Sequence, residues 1–290
     1  MISVEKWHQQ GEYFQYEGNN IFFCKSGNRE KPKLLLIHGF PTSSWDWHFL
    51  WPELSKHFHL FTMDMIGFGF SDKPEGFDYT TKYQADLFEF FLARENLSDY
   101  HILAHDYGDT VAQELLARDL DNERETVRSV LLLNGGLFPE TAKPILLQKL
   151  LMTPLGKIIA RLTTYKKFKK NFNHICHQSI PEDILSGFWE LMNHNNGVAA
   201  IPRLIRYMKE RTVFRSRWLG ALQNSTCPIR FINGLEDPIS GKHMVTRYKQ
   251  LIANADVVEL QDVGHYPQVE APKSILDGAT DFWRKHNIPA

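Results

Sequence analysis

Compact apolar runs recur along the first half of the chain, each followed by a stretch with helical periodicity. Lys33–Gly39 (KLLLIHG), His59–Gly67 (HLFTMDMIG), His101–Ala104 (HILA) and Val127–Asn134 (VRSVLLLN) are the runs, and several are apolar at successive positions. Strands of that kind are buried on both faces, which requires helices on each side of their sheet. Helical segments are expected between them, around Trp47–Leu54, Thr81–Asn96 and Thr110–Leu120. Upstream, Tyr13–Cys24 (YFQYEGNNIFFC) reads as two short strands joined at Gly18, Asn19 and Asn20, residue types that tolerate positive φ. The alternation of strand and helix predicts a mostly parallel sheet of about eight strands.

From about Leu137 to Ala221 the alternation stops. Pro139, Pro144, Pro154, Pro181 and Pro202 separate helical pieces, and lysines cluster in YKKFKKN. This stretch reads as a helical insertion. Afterwards come PIRFINGLEDP (strand, then loop), a helix from Gly241 towards Asn254, the strand DVVEL, the loop QDVGHYP and a last helix near Lys273–His286. Both flanks therefore belong to one sheet. Residues 1–136 and 222–290 form the expected core, and 137–221 a helical lid over the carboxyl ends of the strands.

Bulk properties narrow the function classes. With 33 Lys and Arg against 34 Asp and Glu, the 290-residue chain has a net charge of −1, which offers no field for nucleic acid. Cys24, Cys176 and Cys227 are scattered and odd in number, which suits a reducing compartment. No signal-peptide pattern opens the chain and no apolar stretch approaches the roughly 20 residues of a membrane span. The expectation is a cytoplasmic protein whose partners are small molecules.

The segment LAHDYGDTVAQ sets Ala104, Asp106 and Gly108 in a small-x-nucleophile-x-small pattern. In a sharp strand-to-helix turn, small neighbours let backbone segments crowd together and expose the apex side chain for chemistry. Asp106 is thus a candidate nucleophile; the alternative is an aspartate capping the helix near Thr110. Asp237 in GLEDP and His265 in DVGHYP follow the next two expected strands, giving the order nucleophile, acid, histidine. Singly, an Asp before Pro is a turn residue and a loop His is solvated. Three matches in successive loops favour the catalytic reading. HGFP (His38–Pro41) adds a glycine turn after a strand, and the N–H groups of Phe40 and Tyr107 are assigned as oxyanion donors.

LLLIHGFPTSSWDW, GFGFSDKP, HDYGDTVAQELLAR, NGGLFPE, RSRWLGAL and GHYPQVE, in that order, resemble segments of the α/β-hydrolase superfamily over nearly the whole chain. The likeness is to the branch of epoxide hydrolases and haloalkane dehalogenases with an aspartate nucleophile, and within it to the mesoderm-specific transcript family. The hydrophobic N-terminal segment of that family's animal members has no counterpart here, so membrane attachment through it is not expected.

The resemblance implies an alkyl ester on Asp106, cleaved by water that His265, oriented by Asp237, activates. The implied substrate is small and apolar with an electrophilic alkyl carbon, and water is the second reactant. RYMKERTVFRSRW resembles the lid segment whose tyrosine protonates an epoxide oxygen, which would be Tyr207, with Tyr165 as its partner. Family dehalogenases commonly carry Trp after the nucleophile and Asn in the turn, where this chain has Tyr107 and Phe40. Epoxide hydrolysis to a diol is therefore the expectation. The alternatives are hydrolysis of a carbon–halogen bond, or a non-catalytic or lipid-associated role on a hydrolase scaffold.

No cofactor or metal is expected: GFGFS and GLEDPISGK miss the nucleotide-binding spacings, and HICH (His174–His177) has no further ligand nearby. The cluster Lys166, Lys167, Lys169 and Lys170 reads as a solvated lid face, with attraction to acidic substrates as the alternative.

Overall fold

The computed structural model describes residues 2–122 and 126–288. Eight strands form one sheet: β1 (Glu12–Tyr16), β2 (Asn19–Ser26), β3 (Lys33–Ile37), β4 (His59–Met63), β5 (Tyr100–His105), β6 (Val127–Leu133), β7 (Ile229–Gly234) and β8 (Asp256–Leu260). They lie in the order β1-β2-β4-β3-β5-β6-β7-β8. Only the β1–β2 and β2–β4 pairs are antiparallel; the others are parallel, as the apolar runs predicted. Every residue of β5 is buried, because helices cover both faces of the sheet at its centre.

Three local expectations shift. The β1–β2 hairpin turns at Glu17 and Gly18, both at positive φ, and Asn19 and Asn20 already pair in β2 against Tyr16 and Gln15. Two successive positive-φ residues match the twist of the flanking strands, so the tighter turn prevails. Trp47–Leu54 is two pieces, a 3-10 turn over Ser44–Phe49 and a short helix Trp51–Leu54 whose first turn holds Pro52. Proline fits a first helical turn and breaks a continuing one. The helix expected from Thr110 starts at Tyr107, directly after Asp106, and runs to Asp121.

The segment after β6 runs as a loop to Ile145 and then as a series of short helices. Leu146–Leu151, Gly156–Arg161, Tyr165–Ile175, Glu182–Asn193 and Tyr207–Val213 are its main helices, separated at Pro154 and Pro181. It is tied to the core loops by His265 N–H donating to Ile175 O (2.9 Å) and by the Glu270 carboxylate accepting from the N–H groups of His177 (2.7 Å) and Gln178 (2.9 Å). The final helix of the expected insertion, Arg215–Asn224, packs along Tyr107–Asp121, with the Trp218 indole and Arg217 both on Glu114. No helix among the described residues is long and apolar enough to cross a membrane.

Candidate active site

The site is built where β5 breaks into the Tyr107–Asp121 helix. Asp106 sits at φ 47°, ψ −103°, a conformation that L-residues avoid unless their surroundings enforce it. Gly108 permits it: a Cβ there would lie 2.2 Å from the Ile37 carbonyl oxygen, so only glycine lets the helix start against the end of β3. Asp106 N–H in turn donates to Leu133 O at 3.1 Å, tying the apex to β6. The local sequence thus spends its small residues on aiming one carboxylate. The other carboxyl of the segment, Asp109, faces Gly135 and the end of β6, where burial and the Asp106 charge push its pKa well up.

Phe40 N–H donates to Asp106 Oδ2 at 3.2 Å, and the Phe40 carbonyl is held by the Tyr266 hydroxyl at 3.1 Å. Tyr107 is the first residue of its helix, so its N–H is among those with no intrahelical acceptor. Both expected oxyanion donors therefore belong to segments that meet at the apex.

His265 and Asp237 converge from the loops after β8 and β7. His265 Nδ1 lies 2.8 Å from Asp237 Oδ2, and both side chains are buried. The same oxygen accepts from Ser240 Oγ (2.6 Å) and Asn134 Nδ2 (3.0 Å), while Oδ1 accepts from Ile239 N–H (2.7 Å). Burial raises the Asp237 pKa, but the His265 charge and these donors outweigh it and bring it down to about 2. Burial likewise disfavours the His265 cation, yet Asp237 and the Asp106 charge lift its pKa to about 9. Against unfolded values of about 6.5 and 3.9, the raised histidine stabilises fully below about pH 6.5 and the lowered aspartate above about pH 4. The pair's contribution is lost as pH rises through about 9 or falls through about 2. His105, kept neutral by burial, holds the His265 carbonyl through Nε2 at 2.8 Å.

Of the two lid tyrosines, only Tyr207 reaches the site. It is 1% exposed, and its ring lies 4.2 Å from that of Tyr107, the residue after Asp106. Burial, then the Asp106 charge, pushes its pKa well above the ordinary phenol value. Tyr165 does not reach it. It begins the helix Tyr165–Ile175 on the outside of the lid, where its hydroxyl donates to exposed Glu182 at 2.6 Å.

Arg211 takes the place beside Asp106 that a second tyrosine was expected to fill. Its Nη2 donates to Asp106 O (3.0 Å) and approaches Oδ1 (3.4 Å), Nε donates to Thr110 Oγ1 (2.8 Å), and the guanidinium lies 4.6 Å from the Tyr207 ring centre. Sequence reasoning missed it, although Tyr207 and Arg211 are four apart and so share a helix face. Asn134 and Ser240 were missed as well. Asn134, directly after an apolar strand, stands at the same carboxyl edge as Asp106, and that position was its signal.

Beyond Phe40 and His265 lies an apolar cavity of about 90 Å³, walled by Pro41 and Ile239 from the core and by Leu147, Leu151, Phe168 and Phe172 from the lid. Asp106 is buried and does not itself line this cavity. Ligand pockets typically hold roughly 300–1,000 Å³, so this cavity is small for a ligand site. Among the described residues no group of three or more His, Cys, Asp or Glu is placed to hold a metal ion.

A model of the alpha/beta hydrolase fold family matches residues 32–272. The chain is 39% identical to the mesoderm-specific transcript protein of Mus musculus, over 97% of this chain and 88% of that one. It is 37% identical to the protein LipZ of Mycobacterium tuberculosis, over 96% of each. Among solved structures, haloalkane dehalogenase DbeA of Bradyrhizobium elkani aligns with a TM-score of 0.80 at 20% identity, covering 96% and 98% of the two chains. At that identity the likeness shows the fold alone.

Proposed function

The chain belongs to the α/β-hydrolase fold family, and from that premise we propose that it hydrolyses an epoxide to a diol through an ester on Asp106. The observation that carries this reading is the pair of buried side chains beside Asp106: a phenol, Tyr207, packed on the Tyr107 ring, and a cation, Arg211, 3.4 Å from the carboxylate. Attack by Asp106 on a ring carbon breaks the carbon–oxygen bond, and the oxygen takes the electron pair and a proton from Tyr207. Water then adds to the Asp106 carbonyl carbon, giving a proton to His265. Phe40 and Tyr107 N–H groups stabilise the resulting oxyanion. Collapse expels the diol oxygen, which takes the proton from His265, and the carboxylic acid left on Asp106, now holding the solvent oxygen, returns its proton to the Tyr207 phenolate.

Charge explains why these groups suit an oxygen leaving group. Esterification removes the Asp106 charge and leaves the Arg211 guanidinium buried without its counter-ion, a costly arrangement unless negative charge develops beside it. The opening ring oxygen supplies that charge. The same loss relieves Tyr207 and His265 of a neighbour that raises both their pKa values. Tyr207 becomes a better acid while the ring opens, and His265 gives up its proton more readily when a base is needed to activate water.

A panel of glycidyl ethers and styrene oxide beside 1-haloalkanes, read as diol and halide release, tests the class. Diol without halide is expected, and Tyr207→Phe should slow alkylation by ~10²-fold while sparing hydrolysis of the ester, because only alkylation charges that oxygen. Halide release unaffected by Tyr207→Phe would transfer the assignment to dehalogenation.

The hydrolytic step carries its own pH signature. It should rise with pH as His265 loses its proton, reaching its plateau below pH 9 because the alkylated enzyme lacks the Asp106 charge. Asp237→Asn removes the first cause of the raised pKa, so single-turnover ester hydrolysis should level off at lower pH, at a lower plateau. A profile flat from pH 6 to 9 in both proteins would remove His265 as the base.

A further inference from the structure

We propose that the outer face of the helices Leu146–Leu151 and Gly156–Arg161 docks on an anionic phospholipid bilayer. Five of the eight strongly exposed large hydrophobic side chains among the described residues fall here: Leu146, Leu150, Leu155, Ile158 and Leu162, between 39% and 71% exposed. Their spacing puts them on one side. Leu146 and Leu150 are four apart, and Leu155, Ile158 and Leu162 are separated by three and four, so each set shares a helix face, and the two helices pack on each other. Folding does not need this apolarity. The inward side chains of the same helices, Leu147, Leu151 and Ala160, already supply the cavity wall.

Charge selects the occupant. Residues 143–175 contain eight of the chain's 33 basic residues and none of its 34 acidic ones, in a protein whose net charge is −1. Lys169 pairs with Glu182 and Lys167 donates to Leu162 O, whereas Lys149, Lys157, Arg161, Lys166 and Lys170 are exposed around the apolar stripe. Apolar side chains rimmed by unneutralised cations match the two layers of an anionic membrane surface, acyl boundary and headgroup. A partner protein's apolar patch would satisfy the first and leave the cations without counter-charge. Because these helices also wall the cavity beside His265, docking places that wall against lipid. The inference does not depend on the chemistry at Asp106.

The test mixes the 290-residue chain with phosphatidylcholine vesicles, with or without phosphatidylserine, and measures the bound fraction by sedimentation. Binding to the anionic vesicles should exceed binding to the neutral ones by ~tenfold and should weaken as salt is added. The triple variant Leu155→Ser, Ile158→Ser, Leu162→Ser and, separately, the pair Lys157→Glu, Arg161→Glu should each lose about tenfold of it at unchanged circular dichroism. Equal binding to both vesicle types, or a triple variant that binds as the parent does, overturns the proposal. So does a dimer in solution that the triple variant dissociates, since a second copy would then cover the face.

Discussion

His265→Gln protein incubated with an epoxide substrate should gain the mass of that substrate and keep it. Glutamine cannot take the proton from the attacking water, so hydrolysis should fall by roughly 10²–10⁴-fold, the usual worth of a positioned general base. In the proposed route alkylation depends on Asp106, Tyr207 and Arg211, for none of which the structure records a hydrogen bond to the imidazole, and should continue. Intact mass spectrometry reads the adduct, and digestion should place it on the peptide containing Asp106. Asp106→Ala should give no adduct and no turnover. If the parent enzyme turns over while His265→Gln gains no mass, water attacks the substrate directly and the nucleophile assignment fails, with the fold untouched.

Arg211→Met should be the most destabilising of the substitutions near the site that spare the apolar core. Both Arg211 and Asp106 are buried, and breaking such a pair by removing one partner leaves an uncompensated charge, at a cost of about 3–5 kcal/mol. In the Asp106→Asn background no charge is stranded, so the same replacement should cost far less. A double-mutant cycle from urea unfolding measures the difference. Similar losses in both backgrounds would mean that Arg211 acts through its bonds to Thr110 and the Asp106 carbonyl, and through packing on Tyr207, not through the carboxylate. Catalysis gives a second reading. Arg211→Lys keeps the charge without the planar fork and should retain more alkylation than Arg211→Met.

The legible features were those written into short, contiguous stretches. Apolar runs such as KLLLI and VRSVLLL marked the strands because a doubly covered sheet leaves no polar face, and the end of the strand-helix alternation from about Leu137 was legible because prolines interrupt helices. The apex at Asp106 was readable because its geometry demands small residues two positions either side, a local steric requirement. Asp237 and His265 were found by chain order, and the 2.8 Å contact between them is what that order required. The hairpin turn was correctly read at Gly18 but extended wrongly over Asn19 and Asn20, which suit turns by type while the pairing with Tyr16 and Gln15 takes them into the strand.

The sequence by itself determined the architecture and which side chains stand at the strand ends, since both follow from local periodicity and from side chains fixed at the carboxyl edge of a sheet. Only the tertiary structure decided what faces the Asp106 carboxylate from the lid. Tyr165 and Tyr207 are both lid tyrosines near the start of a helix, yet one donates to Glu182 on the outside and the other is sealed against Tyr107. Which face of a lid helix meets the core depends on how several short helices pack over the sheet, a long-range property that no window of neighbouring residues carries. Arg211 could settle beside Asp106 only because that packing removes water and leaves a buried carboxylate in need of a cation.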